Sequence, residues 1–539
     1  MESQLKRMLI SQHKTRYLVD LGLRIITLVE IISLVACSSV TNATEEVLPQ
    51  QILSPSATPY QPPAGYVEYT AQSGDTLPVV SAHFAVEPSS VISNEEIPQQ
   101  GLIGPGQILY APAYQGETTS GDILIYDSDL VYSPSAKDFN LAAFMEEQGG
   151  FLSTYSEERL YGDSPAADIL GELAFDNSIN PRILLTFLEM NGNWVTGTPP
   201  TREQKTYPFN YIDTTQAGLF SQAVWTIQQL KISYYGWRAG TLSEVVFPDK
   251  STLRLAPNLN AGTVAVMYYL SQVYPREEWQ EKMQELTAVH DRLFGDAYPR
   301  AMSVEPLFQA DMDVPELRLP FSENESWNYT CGPHSSWARR NQPYGALDFA
   351  PPLGRSGCGT ASHYATAMTP GLVVYSFNGR VLVDMDEDGS INTGWVFLYM
   401  HMATEDRVKV GTYLDTGDRI GHPSCEGGYA TGTHVHVARM YNGEWILAVG
   451  GLPFILSGYL PAIGEKLCEG TLTRLSDNLV VNANRWGISY KSKICQPESE
   501  ICAMYTPTPK MTPTRVPSRT PTPTLAPIKT PIPTQIKEP

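Results

Sequence analysis

Basic residues are scarce in this 539-residue sequence: 37 Lys and Arg stand against 57 Asp and Glu, a net charge of −20. So acidic a chain is poorly suited to nucleic acid, and it gains nothing from electrostatic attraction to anionic lipids or wall polymers. Cysteine is scarce too. No Cys-x-x-Cys pair occurs among the seven cysteines, which argues against a thiolate zinc site. No histidine is followed by the Glu of a His-Glu-x-x-His motif, so the chain lacks a Glu base beside paired metal ligands. What it does have is room for three or four domains and a sizeable core, with histidines concentrated between residues 334 and 436.

The segment Gly432-Thr433-His434-Val435-His436-Val437 is the centre of that concentration. Its β-branched neighbours read as a strand, where residues i and i+2 share a face, so both imidazoles point the same way. Such a pair either ligates a metal or divides the work, one holding the metal and one moving protons. Upstream lie Cys331-Gly332-Pro333-His334 and Ala346-Leu347-Asp348-Phe349, and between them and the pair is Tyr399-Met400-His401-Met402. Two neutral imidazoles and one carboxylate suit an open zinc site with its fourth position left to water.

These residues resemble the lysostaphin-type and beta-lytic zinc metallopeptidases, which cut peptides of bacterial peptidoglycan. The lysostaphin-type His-x-x-x-Asp pair is not met, because Tyr344 stands four residues before Asp348. The beta-lytic form is met by Gly332-Pro333-His334 and then Tyr344-Gly345-Ala346-Leu347-Asp348-Phe349, with 348 − 334 = 14 residues between histidine and carboxylate. The resemblance covers roughly residues 315–450. It implies an antiparallel-β domain, zinc on His334, Asp348 and His436, and proton handling by His401 and His434. His363 and His422 match none of its ligands. The strands expected here are 372–377, 380–385 and 395–400, with Asn-Gly and Asp-Gly turns.

The N-terminus reads as a targeting segment, with Lys6, Arg7, Lys14 and Arg16 before a short apolar stretch. Leu34-Val35-Ala36-Cys37 resembles a bacterial lipobox, which implies acylation of Cys37, a membrane anchor and an extracytoplasmic chain. Residues 38–65 read as a linker. Residues 66–113 contain Ser73-Gly74-Asp75-Thr76-Leu77 and Asn94, and resemble a LysM module. That resemblance implies a βααβ unit binding N-acetylglucosamine-containing glycans, with Gly74, Asp75, Thr76 and Asn94 as the binding residues.

From about 120 to 310 the apolar spacing predicts helices over 141–145, 166–174, 182–190, 219–230, 260–273 and 279–294. The order of a helix ending on Glu189 and the later Gly218 and Asn258 segments loosely resembles lysozyme-like transglycosylases. That makes Glu189 a candidate second site, although a scaffold role is the favoured reading. Setting aside Cys37, six cysteines permit three disulfides. A Cys331–Cys358 bridge would pin the loop bearing His334, and the other pairings stay open. Residues 451–504 read as a smaller Cys-containing β segment and 505–539 as a disordered Thr/Pro tail. The whole predicts a multidomain α+β chain acting as a wall-anchored zinc endopeptidase on peptidoglycan. Two alternatives are a non-catalytic wall-binding or activator protein, and a bifunctional chain whose helical domain is a muramidase.

Overall fold

The computed structural model describes residues 62–505, apart from 161, 310, 338–341, 353–356 and 486–488. The targeting segment, Cys37, all but the end of the linker and the tail beyond 505 lie outside the described residues. Among the described residues no helix is long and apolar enough to cross a membrane.

The first unit holds strand β1 (Tyr66–Thr70), helix α1 (Leu77–Phe84) and strand β2 (Ile108–Pro112), with a short strand at Ile92–Ser93 pairing to β2. Gly74 adopts a positive φ of 85° at the turn, and the Thr76 hydroxyl caps α1 by accepting from Val79 N at 3.4 Å. The expected second helix does not form. Its place is taken by a single 3₁₀ turn, Pro88–Ser90, and an irregular return to β2. Pro98 and the Gly104-Pro105-Gly106 run break any helical continuation there.

The helical domain follows, with α2 (Leu141–Gln148), α3 (Ala166–Asn177), α4 (Pro181–Gly192), α5 (Leu219–Arg238), α6 (Ala261–Val273) and α7 (Arg276–Phe294). Asn180 caps α4 through its side chain, Pro181 fills the first turn, and Asn193 closes the helix in the left-handed region. Each helix buries an apolar face, and all contribute to one continuous core shared with the sheet that follows.

That sheet has nine strands. Its order runs Tyr413–Leu414, β5 (Gly371–Phe377), β6 (Arg380–Asp384), β7 (Trp395–Met400), β8 (Val435–Tyr441), β4 (Tyr344–Ala350), β3 (Ser326–Ser335) and Lys493–Cys495, with Glu444–Trp445 paired to β8. The pairings along this path are antiparallel. Asn378-Gly379 makes the β5–β6 turn with both φ values positive, the conformation that suits a two-residue hairpin. A separate three-stranded sheet, Tyr459–Ile463, Gly470–Arg474 and Val480–Asn482, lies in the predicted C-terminal segment.

Three disulfides form: Cys331–Cys468, Cys358–Cys425 and Cys495–Cys502. The Cys331–Cys358 bridge is therefore overturned. Cys331 lies on β3 beside the C-terminal segment, where Gly332 N also reaches Cys468 O at 3.3 Å, so its partner is the residue facing it across that seam.

One side chain ties the first unit, the helices and the sheet together. The Arg238 guanidinium, nearly buried, meets Asp127 and Glu444 at 3.0 Å each and also donates to Ser73 O. Tyr234 OH completes the cluster with a 2.7 Å bond to Glu444. Removing the cation from two buried carboxylates leaves their charge uncompensated. Arg238→Met is therefore expected to cost about 3–5 kcal/mol, read as a lowered denaturation midpoint.

Candidate metal centre and active site

The site is assembled by strand register. His436 on β8 lies opposite Asp348 on β4, and Met400, just before His401, lies opposite His436 on the other side. Val435 and Val437 are fully buried on one face of β8, so His434 and His436 share the opposite face, as period-two alternation requires.

His334 reaches the same point through a bulge. Cys331 pairs with Asp348 but His334 with Ala346, so three steps along β3 match two along β4. Pro333 sits inside this irregularity, where its missing N–H removes no ladder bond. The bulge swings His334 beside Asp348.

Three donor atoms converge as a result. His334 Nε2 lies 3.0 Å from His436 Nδ1 and 3.2 Å from Asp348 Oδ1, and His436 Nδ1 lies 3.1 Å from that same oxygen. These separations are close to the roughly 3.3 Å edge of a tetrahedron with bonds of about 2.0 Å.

The hydrogen bonds at the back of each ring fix which nitrogen carries the proton. His334 Nδ1 donates to Gly332 O at 2.9 Å, and His436 Nε2 to Ser336 O at 2.8 Å. A carbonyl only accepts, so the other nitrogen of each neutral ring presents a lone pair to the centre. Asp348 Oδ1 is buried and has no hydrogen-bond partner. Two imidazole lone pairs and one orphaned carboxylate oxygen at these spacings are a donor set that zinc fits. Cys331 is also close, but its sulfur is spent in the disulfide.

Two more imidazoles stand beside the three. His434 donates Nδ1–H to Gly432 O at 2.7 Å and places Nε2 3.4 Å from Asp348 Oδ2. His401 donates Nδ1–H to Glu426 O at 2.8 Å, with its ring centre 4.4 Å from that of His434. His401 also has φ of +68°, a conformation disfavoured for a side chain of this size. Ser424 holds it there, donating to His401 O from both N and Oγ at 2.6 and 2.9 Å.

Burial, then the neighbouring His434 and His436, push the His401 pKa down to about 3, so this ring is neutral at physiological pH. Burial likewise lowers His436. Burial opposes the charge on Asp348, yet His334 and His434 beside it hold its carboxyl well below the usual range. For His334, burial is outweighed by Asp348, and its pKa rises. A proton therefore competes with zinc on His334 above the ordinary imidazole pH. Zinc affinity is expected to fall as pH drops through that raised value, by about tenfold per unit for one displaced proton. Competition with a chromophoric chelator across pH 5–8 measures it.

The backbone acceptors are the part of the site that sequence reasoning missed. A signal for two of them exists: Gly332-Pro333-His334 and Gly432-Thr433-His434 share a Gly-x-His pattern, and each ring bonds the carbonyl two residues before it. The Cys358–Cys425 bridge was also not foreseen. It fastens the segment near Gly357–Gly359, which Thr433 Oγ1 grips through Gly359 N at 3.0 Å and Gly359 O at 2.6 Å.

The other sequence candidates lie elsewhere. Asp75 is buried, accepting from Tyr69 OH and Gln72 N at 2.7 Å each, and burial raises its pKa to about 6. A side chain at Gly74 would strike Arg238, and Thr76 is buried beside Gly451. Gly74, Asp75 and Thr76 therefore sit in a junction between domains, while Asn94 alone of the four is exposed. Glu189 is buried at the end of α4. Its oxygens accept from Val195 N and Thr196 N at 2.9 and 3.1 Å, from Thr196 Oγ1, and from Arg292 at 3.1 Å. These bonds tie it to the loop after α4 and to Arg292 of α7. His422 bonds His363 O, away from the centre.

Residues 123–305 match a family described as LasA, N-terminal domain. That match spans the helical domain of the chain. It is also similar to Protease LasA from two strains of Pseudomonas aeruginosa, 26% identical over 347 residues, spanning 60% of this chain and 75% of each relative. Among solved structures it is similar to the deep-sea M23 metalloprotease Pseudoalterin, at 21% identity over 32% of this chain and 98% of that one, TM-score 0.25. The lysostaphin catalytic domain from Staphylococcus simulans is 25% identical over 24% of this chain and 95% of that one, TM-score 0.17.

Proposed function

We propose that the chain is a zinc metalloendopeptidase that hydrolyses peptide bonds of peptidoglycan outside the cytoplasm. One observation carries the chemistry: His334 Nε2, Asp348 Oδ1 and His436 Nδ1 lie within 3.0–3.2 Å of one another, each ring oriented from behind. Zinc bound there would supply a Lewis acid for a scissile carbonyl and lower the pKa of water towards about 7. His434 Nε2, beside Asp348, accepts a proton from the attacking water and returns it to the leaving amine. His401, kept neutral by burial, orients that water and donates no competing charge to the centre. No Glu base is needed, because two imidazoles fill that place.

The substrate class rests on the resemblance to lysostaphin-type and beta-lytic peptidases and on the similarity to Protease LasA. Three disulfides suit an oxidising compartment. Anchoring through Cys37 fits that placement and belongs to the same proposal. The Gly74–Thr76 turn is assigned a structural part at the domain junction, since it is covered there. The helical domain is assigned a scaffold part, since Glu189 is fully engaged.

The test is turbidity clearing of purified peptidoglycan. Clearing is expected to stop after zinc is removed by chelation and to return on adding about one equivalent of zinc. Clearing that persists in metal-free protein would rule out this reading.

A further inference from the structure

A second cluster of acids lies far from the zinc-type centre, in the turn joining β6 to β7. It reads Asp384-Met385-Asp386-Glu387-Asp388-Gly389, carboxylates at alternate positions followed by glycine. This is the order that opens calcium-binding loops, where alternate side chains face one ion and the glycine permits a sharp turn. Gly389 has a φ of +81° here. One oxygen from each of Asp384, Asp386 and Asp388 lies within 4.8 Å of the others.

The independent observation is Asp384 itself. Its side chain is fully buried at the end of β6. Oδ2 accepts from Gly389 N at 2.9 Å, but Oδ1 has no hydrogen-bond partner. A buried carboxylate oxygen left unpaired among two further acids is costly unless a cation meets it.

We propose that this turn is a calcium site, with Asp384, Asp386 and Asp388 as its carboxylate ligands. All-oxygen donors favour a hard cation over zinc, and their looseness favours calcium over the smaller magnesium. The position eleven after Asp384 is Trp395, so the bidentate carboxylate that closes the strongest loops is lacking. Affinity therefore belongs to the weak class of extracellular modules, about 10⁻⁴–10⁻³ M.

Asp388 is also held by protein groups. Its Oδ1 accepts from Ser390 N at 2.8 Å, and its Oδ2 from Thr393 Oγ1 at 2.9 Å and Lys137 Nζ at 2.7 Å. Lys137 belongs to the helical domain, as does Tyr132, whose carbonyl accepts from Asn392 Nδ2 at 2.6 Å. The ion would thus sit where the sheet's hairpin docks on the helices. Trp395 pairs with Tyr441 and Met400 with His436, so about five residues of strand, roughly 17 Å, separate it from the zinc-type centre. Its effect is on stability and docking rather than on the chemical step.

The experiment uses the full chain with zinc already bound and no chelator present. Terbium luminescence excited through Trp395 is expected to appear on titration and to be displaced by calcium. Calcium at about 10 mM is expected to raise the melting temperature by a few degrees, and magnesium by less. Asp384→Asn is expected to abolish both responses. Asp386→Asn, at an exposed position whose loss leaves the core intact, is expected to weaken both by at least about tenfold. Absence of terbium luminescence and calcium shift in the unmodified chain overturns the site. So does an unchanged response in Asp386→Asn, which marks diffuse binding to an acidic surface. An equal shift from magnesium overturns the assignment to calcium.

Discussion

Asp348→Ala is expected to leave the purified chain without bound zinc and without activity, while its fold is kept. The residue supplies the only carboxylate among the three converging donors, and its Oδ1 has no other partner to lose. Its removal also takes away the negative charge that offsets a divalent cation between two neutral rings. His334→Ala and His436→Ala are expected to lower zinc content from about one per chain to background for the same reason. Metal analysis after gel filtration checks each. Full zinc in His334→Ala, with loss on substituting Tyr344, would show that the metal pair is the lysostaphin-type spacing after all.

His434→Ala and His401→Ala are expected to behave differently, keeping zinc but losing about 10²–10⁴-fold in turnover. Neither ring has a nitrogen within the 3.0–3.2 Å cluster of donors. His434 touches the other oxygen of Asp348, and His401 packs against His434. Zinc content and initial rate measured on the same preparations separate these variants from the ligand set. If His434→Ala empties the site and His436→Ala does not, the ligand and proton-handling roles of the two rings are exchanged.

Much of this was legible in the sequence because short-range rules govern it. The alternation around His434 and His436 predicts both rings on one face, and both rings reach the Asp348 carboxylate. The apolar spacing located helices α2 to α7 of the helical domain, with ends extended to caps such as Gly149 after α2. Strand Trp395–Met400 falls where its apolar run predicts. Long-range facts were not legible. Cys331 finds Cys468 only because the C-terminal segment returns to β3, and no local pattern encodes that return. The burial of Asp75 depends on the domain junction around Arg238, which lies 165 residues from Ser73. The acidic turn after β6 read simply as an Asp-Gly hairpin turn. Only the buried, unpartnered oxygen of Asp384 distinguishes it from one. Glu189 shows the converse: a carboxyl at an apolar helix end suggests an acid catalyst, and saturation of both its oxygens tells of a loop anchor.

Mass spectrometry of fragments released from purified peptidoglycan tests the central assignment most directly, because peptide and glycan cuts leave different ends. Zinc-loaded chain is expected to release fragments with new peptide amino and carboxyl termini and intact glycan strands, and Asp348→Ala is expected to release none. New reducing or anhydro sugar ends, or fragments still released by Asp348→Ala, would contradict it.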